Sequence, residues 1–477
     1  MNVLHISVEC YPAAKVGGLA DVVGALPKYL TKAGMETGVI IPRYSLPWIN
    51  QRKFTTVHHG EVRLHHDNIP FAIQQLDSNE LGFPLFVVAI PGKFDRPGVY
   101  ADPSGNYYQD EAERYLCFQM AVLKWVASFA KKPDVLHCHD HHTGLTPFMV
   151  KHSFEFESLQ NIPTVFTIHN GEYHGAFSWN GKHLLPYFKV EDIGLLDWNH
   201  TINPLATGIK TCWHLTTVSP SYLEELNQKS NGLENLFRQE NPKSTGIING
   251  IDSEVWDPKT DPYLVQQLKK SVPNFKKKNK KALTDHFGLN PDLPLITFIG
   301  RLVREKGADL IPDLISQFLY SGQQASFIVL GTGDPYLMDV LGRMGEHFKG
   351  FFHAQLEYNE GLAHQLYAGS DFLLMPSRVE PCGLNQMYAM RYGTVPIVRS
   401  VGGLRDTVSD VGEEDGRGIR FDHFTLDDAG LALYRATEVY KSKKYFSELQ
   451  KRIMSLDFSW ERSAESYINI YNSLTKK

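Results

Sequence analysis

The chain has the composition of a globular protein and carries little net charge. It contains 477 residues, of which 42% are hydrophobic and 21% are charged, with a formal net charge of −5. A chain of this length exceeds the size at which a single hydrophobic core stops growing, so we expect two or more domains. The charge gives no reason to expect nucleic acid as a partner.

The cysteine pattern and the N-terminus favour a cytoplasmic protein. The five cysteines form no C-x-x-C pair and are odd in number, which fits a reducing compartment. Residues 1–9 lack the basic and apolar regions of a signal peptide. Apolar runs such as residues 295–299 are too short to span a bilayer, so we expect no membrane partner.

Short apolar runs alternate with amphipathic stretches along the chain. The runs predict strands, and apolar residues at helical spacing after residues 17–18 and over residues 111–129 predict helices. Strands that alternate with helices predict parallel sheets covered on both faces. The predicted strands are residues 3–8, 39–41, 85–90, 134–137, 164–168, 215–219, 295–299, 325–330, 372–375 and 395–398.

A basic stretch, residues 269–281, precedes the second series of strands. We place one α/β domain before about Gly246 and a second after about Asp252. The lysine-rich run at residues 276–281 has no interleaved aromatic residues. We therefore interpret it as a solvated helix start or a surface loop, and not as a nucleic-acid site.

A glycine pair follows the first predicted strand, in the sequence KVGGL at residues 15–19. Gly17 and Gly18 permit positive φ and a close approach of the backbone. The next helix directs unpaired N–H groups and a partial positive charge toward its N-terminus, where a diphosphate would fit. The alternative is a plain strand-to-helix turn with Lys15 in solvent. Asp21 lies in the same candidate segment.

Two cations, Arg301 and Lys306, directly follow the first strand of the second half, in the sequence GRLVREKG. Ligands of α/β sheets bind at the carboxyl ends of the strands. Arginine provides a planar fork for phosphate oxygens, and lysine provides a point charge. Alternatively, Glu305 pairs with one of these cations in a surface salt bridge of little consequence.

A carboxylate precedes a glycine turn in the sequence SRVEPCGLN at residues 377–385. Pro381 restricts Glu380 to extended geometry and Gly383 relieves the turn, so we expect the Glu380 carboxylate to point in one direction beside the N–H groups of the next helix. The alternative is that Glu380 caps this helix.

Histidines cluster at the end of a predicted strand, in the sequence HCHDHH at residues 137–142. Strand alternation puts only His137, His139 and His141 on one side, and no acidic partner is obvious, so we do not expect a metal site. A polar pocket fits the position better. Its candidate residues, at this and another strand end, are His139, Asp140, His169 and Asn170.

Several familiar motifs are missing from the chain. The sequence GTGD at residues 331–334 begins like a dinucleotide fingerprint, but Tyr336 stands at the position of the third glycine. Walker A, H-E-x-x-H and G-x-S-x-G sequences do not occur. We therefore expect no bound cofactor. Tyr358 could stack on a nucleotide base or pack locally.

These motifs, in this order, resemble bacterial glycogen synthases and plant starch synthases over nearly the whole chain. K-x-G-G-L and E-P-C-G-L carry the resemblance most specifically. It implies an α/β fold of two Rossmann-like domains that face each other across a deep cleft (the GT-B type), with a C-terminal helix that crosses back to the first domain. The implied domains are residues 1–246 with 458–477, and residues 252–457.

The resemblance also implies a reaction. Such enzymes transfer glucose from a nucleotide sugar to the non-reducing 4-hydroxyl of an α-1,4-glucan, with retention of configuration and without a required metal. We favour ADP-glucose as the donor, with UDP-glucose as a second possibility, and glycogen or maltooligosaccharides as acceptors. Three competing interpretations are a sucrose-type synthase, a nucleotide-sugar epimerase and a non-catalytic α-glucan-binding protein.

The resemblance also implies roles for individual residues, assigned by their positions in the matching motifs. Lys15, Gly17 and Gly18 would approach the donor phosphates, and Arg301 and Lys306 would bind the diphosphate. Glu380 would hold sugar hydroxyls and balance positive charge at the anomeric carbon, His169 and Asn170 would contact the glucose, and Tyr358 would stack on the base. The pocket would be completed by His139, Asp140, Asn249, Cys382, Gly383, Leu384 and Asn385. Asn385 departs from the usual threonine.

Overall fold

The computed structural model describes residues 1–64 and 67–476, and the chain divides into two compact units. Unit 1 contains Met1–Val218, Leu223–Ile247 and Trp460–Lys477, and unit 2 contains Ser219–Tyr222 and Ile248–Ser459. Among the helices of the described residues, none combines the length and the apolar character that a membrane crossing requires.

Unit 1 is built on a nine-stranded sheet with the strand order β11-β10-β7-β6-β1-β2-β5-β4-β3. Its strands are parallel from β11 to β5, and β3 and β4 extend the edge as an antiparallel pair. The strands are β1 (Asn2–Ile6), β2 (Glu36–Pro42), β3 (Phe54–Leu64), β4 (Asp67–Leu76), β5 (Leu85–Ala89), β6 (Val135–His139), β7 (Thr164–Ile168), β10 (His214–Thr217) and β11 (Ser244–Gly246), with a separate pair β8 (Asp197–Trp198) and β9 (Thr201–Ile202).

Helices pack on this sheet, and short 3₁₀ turns connect several elements. The first helices are α1 (Gly18–Lys32), α2 (Pro47–Asn50), α3 (Glu111–Ala127), α4 (Thr146–His152), α5 (Ile193–Leu196), α6 (Pro204–Thr211), α7 (Pro220–Gln228) and α8 (Glu234–Glu240). The 3₁₀ turns before unit 2 are His141–Thr143, Phe154–Leu159, Trp179–Leu184, Val190–Asp192 and Asn241–Lys243.

Unit 2 contains a six-stranded parallel sheet with the order β14-β13-β12-β15-β16-β17. Numbered within the unit, this is the order 3-2-1-4-5-6 of nucleotide-binding α/β folds. The strands are β12 (Leu295–Ile299), β13 (Ser326–Leu330), β14 (Phe352–Gln355), β15 (Phe372–Met375), β16 (Val395–Arg399) and β17 (Ile419–Phe421). The helices are α9 (Val272–Phe287), α10 (Ile311–Tyr320), α11 (Pro335–His347), α12 (Glu360–Gly369), α13 (Asn385–Arg391), α14 (Gly402–Thr407), α15 (Leu426–Lys441) and α16 (Lys443–Met454), with 3₁₀ turns at Arg304–Lys306 and Ala308–Leu310.

The last helix, α17 (Trp460–Thr475), belongs to unit 1. Its apolar face joins the same buried cluster as Val22, Leu26 and Leu30 of α1 and Val3 of β1. The helix contributes Trp460, Ala464, Tyr467, Ile470 and Tyr471, which recur at helical spacing. The C-terminal segment is therefore part of the core of unit 1.

The predicted strands and parallel sheets are confirmed, but two expectations need correction. The hairpin of β3 and β4 is missing from the predicted strands, because β3 is largely exposed and lacks an apolar run. The basic stretch forms α9, and two of its lysines are not solvated: Lys276 and Lys280 are buried. The Lys280 ammonium lies 2.6 Å from the carboxylate of buried Asp371. Part of the positive charge of this basic stretch therefore forms an ion pair inside unit 2.

We predict that Tyr467→Ala destabilises unit 1 by about 3–5 kcal/mol, because it removes a fully buried aromatic ring from the core cluster. Glu465→Ala, at an exposed position of the same helix, is the matched control and should change stability little. Chemical denaturation of both variants measures the difference. Equal effects would contradict the packing role of α17.

Candidate active site

The strand order of unit 2 reverses between β12 and β15, and the predicted residues of this unit follow these two strands. Connections that leave neighbouring strands toward opposite faces open a crevice at the carboxyl edge of the sheet. Arg301 and Lys306 come after β12, and Glu380 comes after β15. The topology therefore explains why these distant segments meet.

Glu380 and Lys306 form an ion pair within unit 2. The Lys306 ammonium lies 2.7 Å from both carboxylate oxygens of Glu380, and the Ser377 hydroxyl donates to Oε2 at 3.0 Å. The Glu380 side chain is 7% exposed and that of Lys306 is 30% exposed. The carboxylate is thus held in one direction, while the ammonium keeps contact with solvent.

The capping alternative for Glu380 is wrong. Helix α13 begins at Asn385, its N-cap residue is Leu384, and no side chain caps it. Gly383 takes φ of +75°, so the predicted glycine turn is present. The Glu380 carboxylate binds Lys306 and Ser377 instead of the helix N-terminus.

Arg301 is the exposed cation of this group. Its side chain is 62% exposed, and Glu305 lies 3.7 Å away, a loose contact of the kind that the salt-bridge alternative describes. The loop itself is well fixed, since Arg378 donates to Asp309 at 2.5 Å and 2.7 Å and its backbone N–H donates to the Glu305 carbonyl. The Arg301 side chain is therefore exposed on a loop whose backbone is held in place by these hydrogen bonds.

A second glycine pair, Gly402 and Gly403, supports the Glu380 turn. A Cβ at Gly402 would lie 2.1 Å from the Glu380 carbonyl oxygen, and one at Gly403 would lie 2.1 Å from the Cys382 carbonyl oxygen. The Gly403 N–H donates to the Glu380 carbonyl at 3.1 Å. Only glycine fits these positions, and the signal was the G-G pair itself.

The remaining candidates of unit 2 differ in their surroundings. Asn385 donates from Nδ2 to the Ile299 carbonyl at 2.7 Å, so it ties α13 to the end of β12. Asn249 is buried, and its Oδ1 has no partner among the described residues. The Tyr358 side chain is 81% exposed, so it does not pack into the core.

In unit 1 the strand order reverses between β1 and β6, and Glu9 lies in the loop that follows β1. Its carboxylate is buried and accepts hydrogen bonds from the Val16 and Gly17 N–H groups at 2.6 Å and 2.9 Å and from the Tyr100 hydroxyl at 2.5 Å. Burial raises its pKa, and these hydrogen bonds oppose the rise. Sequence reasoning missed Glu9, because it belongs to no motif.

The contacts of Glu9 concern the residues just before helix α1. The Val16 and Gly17 N–H groups donate to the Glu9 carboxylate, and Gly17 has φ of −139°, so Gly17 does not use the positive φ that glycine permits. Yet a Cβ at Gly17 or Gly18 would meet nothing within 4 Å. Lys15 pairs with Asp21 at 2.7 Å. Among the described residues nothing packs so closely that it requires glycine here, which fits a close approach by a ligand.

Asp140 has a strained backbone at the end of β6. Its φ of 56° and ψ of 174° lie in a region that is nearly restricted to glycine and costs about 1–3 kcal/mol. Its Oδ1 accepts from the His169 N–H at 2.7 Å and the Asn170 N–H at 3.4 Å. Burial raises the pKa of Asp140 to about 7. The two hydrogen bonds to its carboxylate thus fix the backbone of His169 and Asn170.

The histidines of unit 1 form a hydrogen-bonded group. His139 Nδ1 lies 3.0 Å from His169 Nε2, and His139 Nε2 lies 3.1 Å from His5 Nδ1. Both nitrogens of His137 are engaged, with the Tyr471 hydroxyl at 2.7 Å and the Thr167 hydroxyl at 2.6 Å. Candidate ligand atoms of His5, His137 and His139 lie within 4.8 Å of one another, but a metal ion would have to displace these bonds.

His141 does not follow the predicted alternation. Strand β6 ends at His139, and His141 lies in the 3₁₀ turn His141–Thr143. Its Nε2 is 3.2 Å from Glu111 Oε1, an acidic partner that is 30 residues away in sequence. Glu111, His141 and His142 form a second group with possible metal-ligand spacing, at the start of α3.

We predict that the contribution of Asp140 to the stability of unit 1 falls as pH rises from about 4 to about 7, because Asp140 binds a proton more tightly in the folded state than at its ordinary pKa of 3.8. Asp140→Asn keeps the Oδ1 acceptor and removes the titration. Its free energy of unfolding relative to the wild type should increase between about pH 4 and pH 7. A pH-independent difference would contradict the raised pKa.

The sequence matches two family profiles. The starch synthase catalytic domain matches residues 2–239, and glycosyl transferases group 1 matches residues 279–429. A glycogen synthase of Flavobacterium johnsoniae is 47% identical, with full coverage of both chains. A glycogen synthase of Streptococcus gordonii is 38% identical over 99% of this chain and 100% of its own.

Solved structures agree with these matches. The catalytic domain of starch synthase IV from Arabidopsis thaliana, bound to ADP and acarbose, has a TM-score of 0.86 and 31% identity, and covers 100% of this chain and 99% of its own. Sucrose-phosphate synthase from Thermosynechococcus elongatus has a TM-score of 0.62 at 17% identity and shares the fold alone, over 99% and 98% of the chains. The predicted α/β GT-B class is confirmed, and the chain belongs to the glycogen synthase and starch synthase family of glucosyltransferases.

Proposed function

We propose that this protein transfers glucose from ADP-glucose to the non-reducing 4-hydroxyl of an α-1,4-glucan, with retention of configuration. The bond between the anomeric carbon and the phosphate oxygen breaks, and a bond from that carbon to the acceptor oxygen forms on the same face. The leaving phosphate takes the proton of the acceptor hydroxyl. No covalent enzyme intermediate is required.

The observation that carries this proposal is the arrangement of Lys306, Glu380 and Arg301 at the strand reversal of unit 2. Cleavage leaves negative charge on the diphosphate and positive charge on the sugar. Arg301 and Lys306 balance the first charge, and the Glu380 carboxylate, fixed by Lys306 and Ser377, balances the second. Opposite charges are therefore preorganised a few ångströms apart.

The unit 1 residues would bind the phosphates and the transferring glucose. Lys15 and the backbone at Gly17 and Gly18 approach the phosphates, and the open space around both glycines supports this role. His169 and Asn170 contact the glucose, and Asp140 fixes their backbone. Glu9 joins this group as the residue that holds the glycine loop.

The remaining roles concern the nucleotide base and the turn after Glu380. Tyr358 would stack on the base, and its exposed ring suits that role. Asn249 would direct its unpartnered Oδ1 toward the ligand. Backbone groups of the turn would complete the pocket at Cys382, Gly383 and Leu384. Asn385 already binds the Ile299 carbonyl, so we assign its side chain to positioning the turn rather than to the donor.

The compartment and the donor are further parts of the proposal. The described cysteines are all unpaired and buried, which supports a cytoplasmic protein. ADP bound to the Arabidopsis starch synthase supports ADP-glucose as the donor.

We predict that Arg301→Ala, Lys306→Ala and Glu380→Gln each lower kcat by about 10²–10³-fold, because each removes one preorganised charge from the transition state. Incorporation of radiolabelled glucose into glycogen at saturating donor measures the loss. Arg343→Ala is the matched control, since Arg343 is as exposed as Arg301 and pairs with Asp339. Unchanged turnover in Glu380→Gln would contradict its role.

We predict a higher kcat/KM with ADP-glucose than with UDP-glucose. The measurement is glucose transfer to maltooligosaccharides with each donor under the same conditions. A preference for UDP-glucose would change the donor assignment and leave the reaction class intact. Glucan binding without donor hydrolysis or transfer would instead support a non-catalytic binding protein.

A further inference from the structure

We propose that His5 and His139 are positioning residues that fix the tautomer of His169, so that His169 donates a hydrogen bond from Nδ1 to an oxygen of the bound sugar. This inference rests on the proposed function for the role of His169. His5 lies inside β1, and sequence reasoning gave it no role.

The geometry connects the three imidazole rings in a row. His5 Nδ1 lies 3.1 Å from His139 Nε2, and the two ring planes are within 17° of each other. His139 Nδ1 lies 3.0 Å from His169 Nε2. His5 and His139 are fully buried, whereas His169 is 8% exposed at the end of β7. The row therefore runs from the core of unit 1 to the site.

The sheet register creates this row. His5 of β1 pairs with His137 of β6, and His139 of β6 pairs with Thr167 of β7. Side chains of paired residues, and of residues two positions apart on a strand, share a face of the sheet. The His137 ring consequently stacks on the His139 ring at 4.3 Å between centroids and restricts its rotation.

A row of neutral imidazoles has only two proton arrangements. Each neutral ring carries one N–H donor and one bare nitrogen acceptor. In the first arrangement all three protons sit on Nδ1, so His5 donates to His139 and His139 donates to His169. In the second all three sit on Nε2, and the bonds run in the opposite direction. The burial that lowers the pKa of His5 and of His169 to about 3 keeps the rings neutral.

The inner end of the row selects between these arrangements. His5 Nε2 is buried and has no hydrogen-bond partner among the described residues. The second arrangement would put an N–H group at this position, and buried N–H groups without an acceptor are rare in proteins. The first arrangement leaves only a bare nitrogen there. We therefore assign the protons to Nδ1.

This assignment determines what His169 can do. Its Nε2 accepts from His139, so its proton is on Nδ1, which makes no hydrogen bond to the described residues. A neutral Nδ1–H group donates to an oxygen and cannot remove a proton from the acceptor hydroxyl. The assignment thus agrees with a leaving phosphate, and not His169, as the base.

Neutron diffraction from deuterium-exchanged crystals tests the proton positions directly. We expect deuterium on Nδ1 of His5, His139 and His169. Deuterium on Nε2 of His169 or of His5 would overturn the proposal. This readout does not depend on activity. If deuterium is on Nδ1 but glucose transfer is absent, the proposed function fails while the assignment of the tautomers is supported.

Two variants of His5 test the functional part. His5→Leu removes the donor to His139 and should lower kcat by about 10–100-fold, the size of the loss when a partner that orients a metal-binding histidine is removed. His5→Asn retains an N–H donor near the Nδ1 position and should keep most of the wild-type kcat. The KM for the glucan acceptor should change little in either variant.

Val3→Ala is the matched control for lost packing. Val3 is fully buried on the same strand and face as His5, but contacts no histidine of the row through a hydrogen bond. It should lower the melting temperature and leave kcat unchanged. If His5→Asn is as impaired in kcat as His5→Leu, the donor at this position is not what His169 needs and the proposal is refuted.

Discussion

The reversal of strand order in each parallel sheet is the constraint on which both groups of site residues depend. In unit 1 it lies between β1 and β6, and in unit 2 between β12 and β15. Neighbouring strands there send their connections to opposite faces, so their carboxyl ends are left uncovered by a crossover helix. Glu9 and Asp140 follow one pair of strands, and Lys306 and Glu380 follow the other.

The carboxylates at these strand ends are stabilised in two ways. Glu9 and Asp140 accept backbone N–H groups, so each fixes a loop while its own burial raises its pKa. Glu380 binds a lysine side chain instead. Backbone donors cannot leave without unfolding the loop, whereas a lysine side chain can rotate away toward a phosphate. The Glu380 site can therefore exchange partners, and the unit 1 carboxylates serve as fixed supports.

The sequence predicted the parts of the fold that leave a local pattern. Strands β7, β12 and β15 coincide with the predicted residues, because buried parallel strands are continuous apolar runs. The exposed hairpin of β3 and β4 has no such run. Buried lysines such as Lys276 were predicted to be solvated for a related reason. A charged residue indicates solvent exposure only when the fold brings no hydrogen-bonding partner to it. Lys276 binds three oxygens, at Tyr367, Tyr392 and Thr394, from segments about 90 to 120 residues away.

The same limit applies to the site. Motifs indicated Arg301, Lys306 and Glu380 as candidates, because each lies in a short segment whose chemistry is visible locally. Glu9 and His5 were not identified, since their partners come from other strands and loops. Their contribution is also different in kind. In the proposed role of His169, a buried row of neutral imidazoles would offer a donor to the sugar without adding net charge. An imidazolium at this position would instead repel the positive charge that develops at the anomeric carbon.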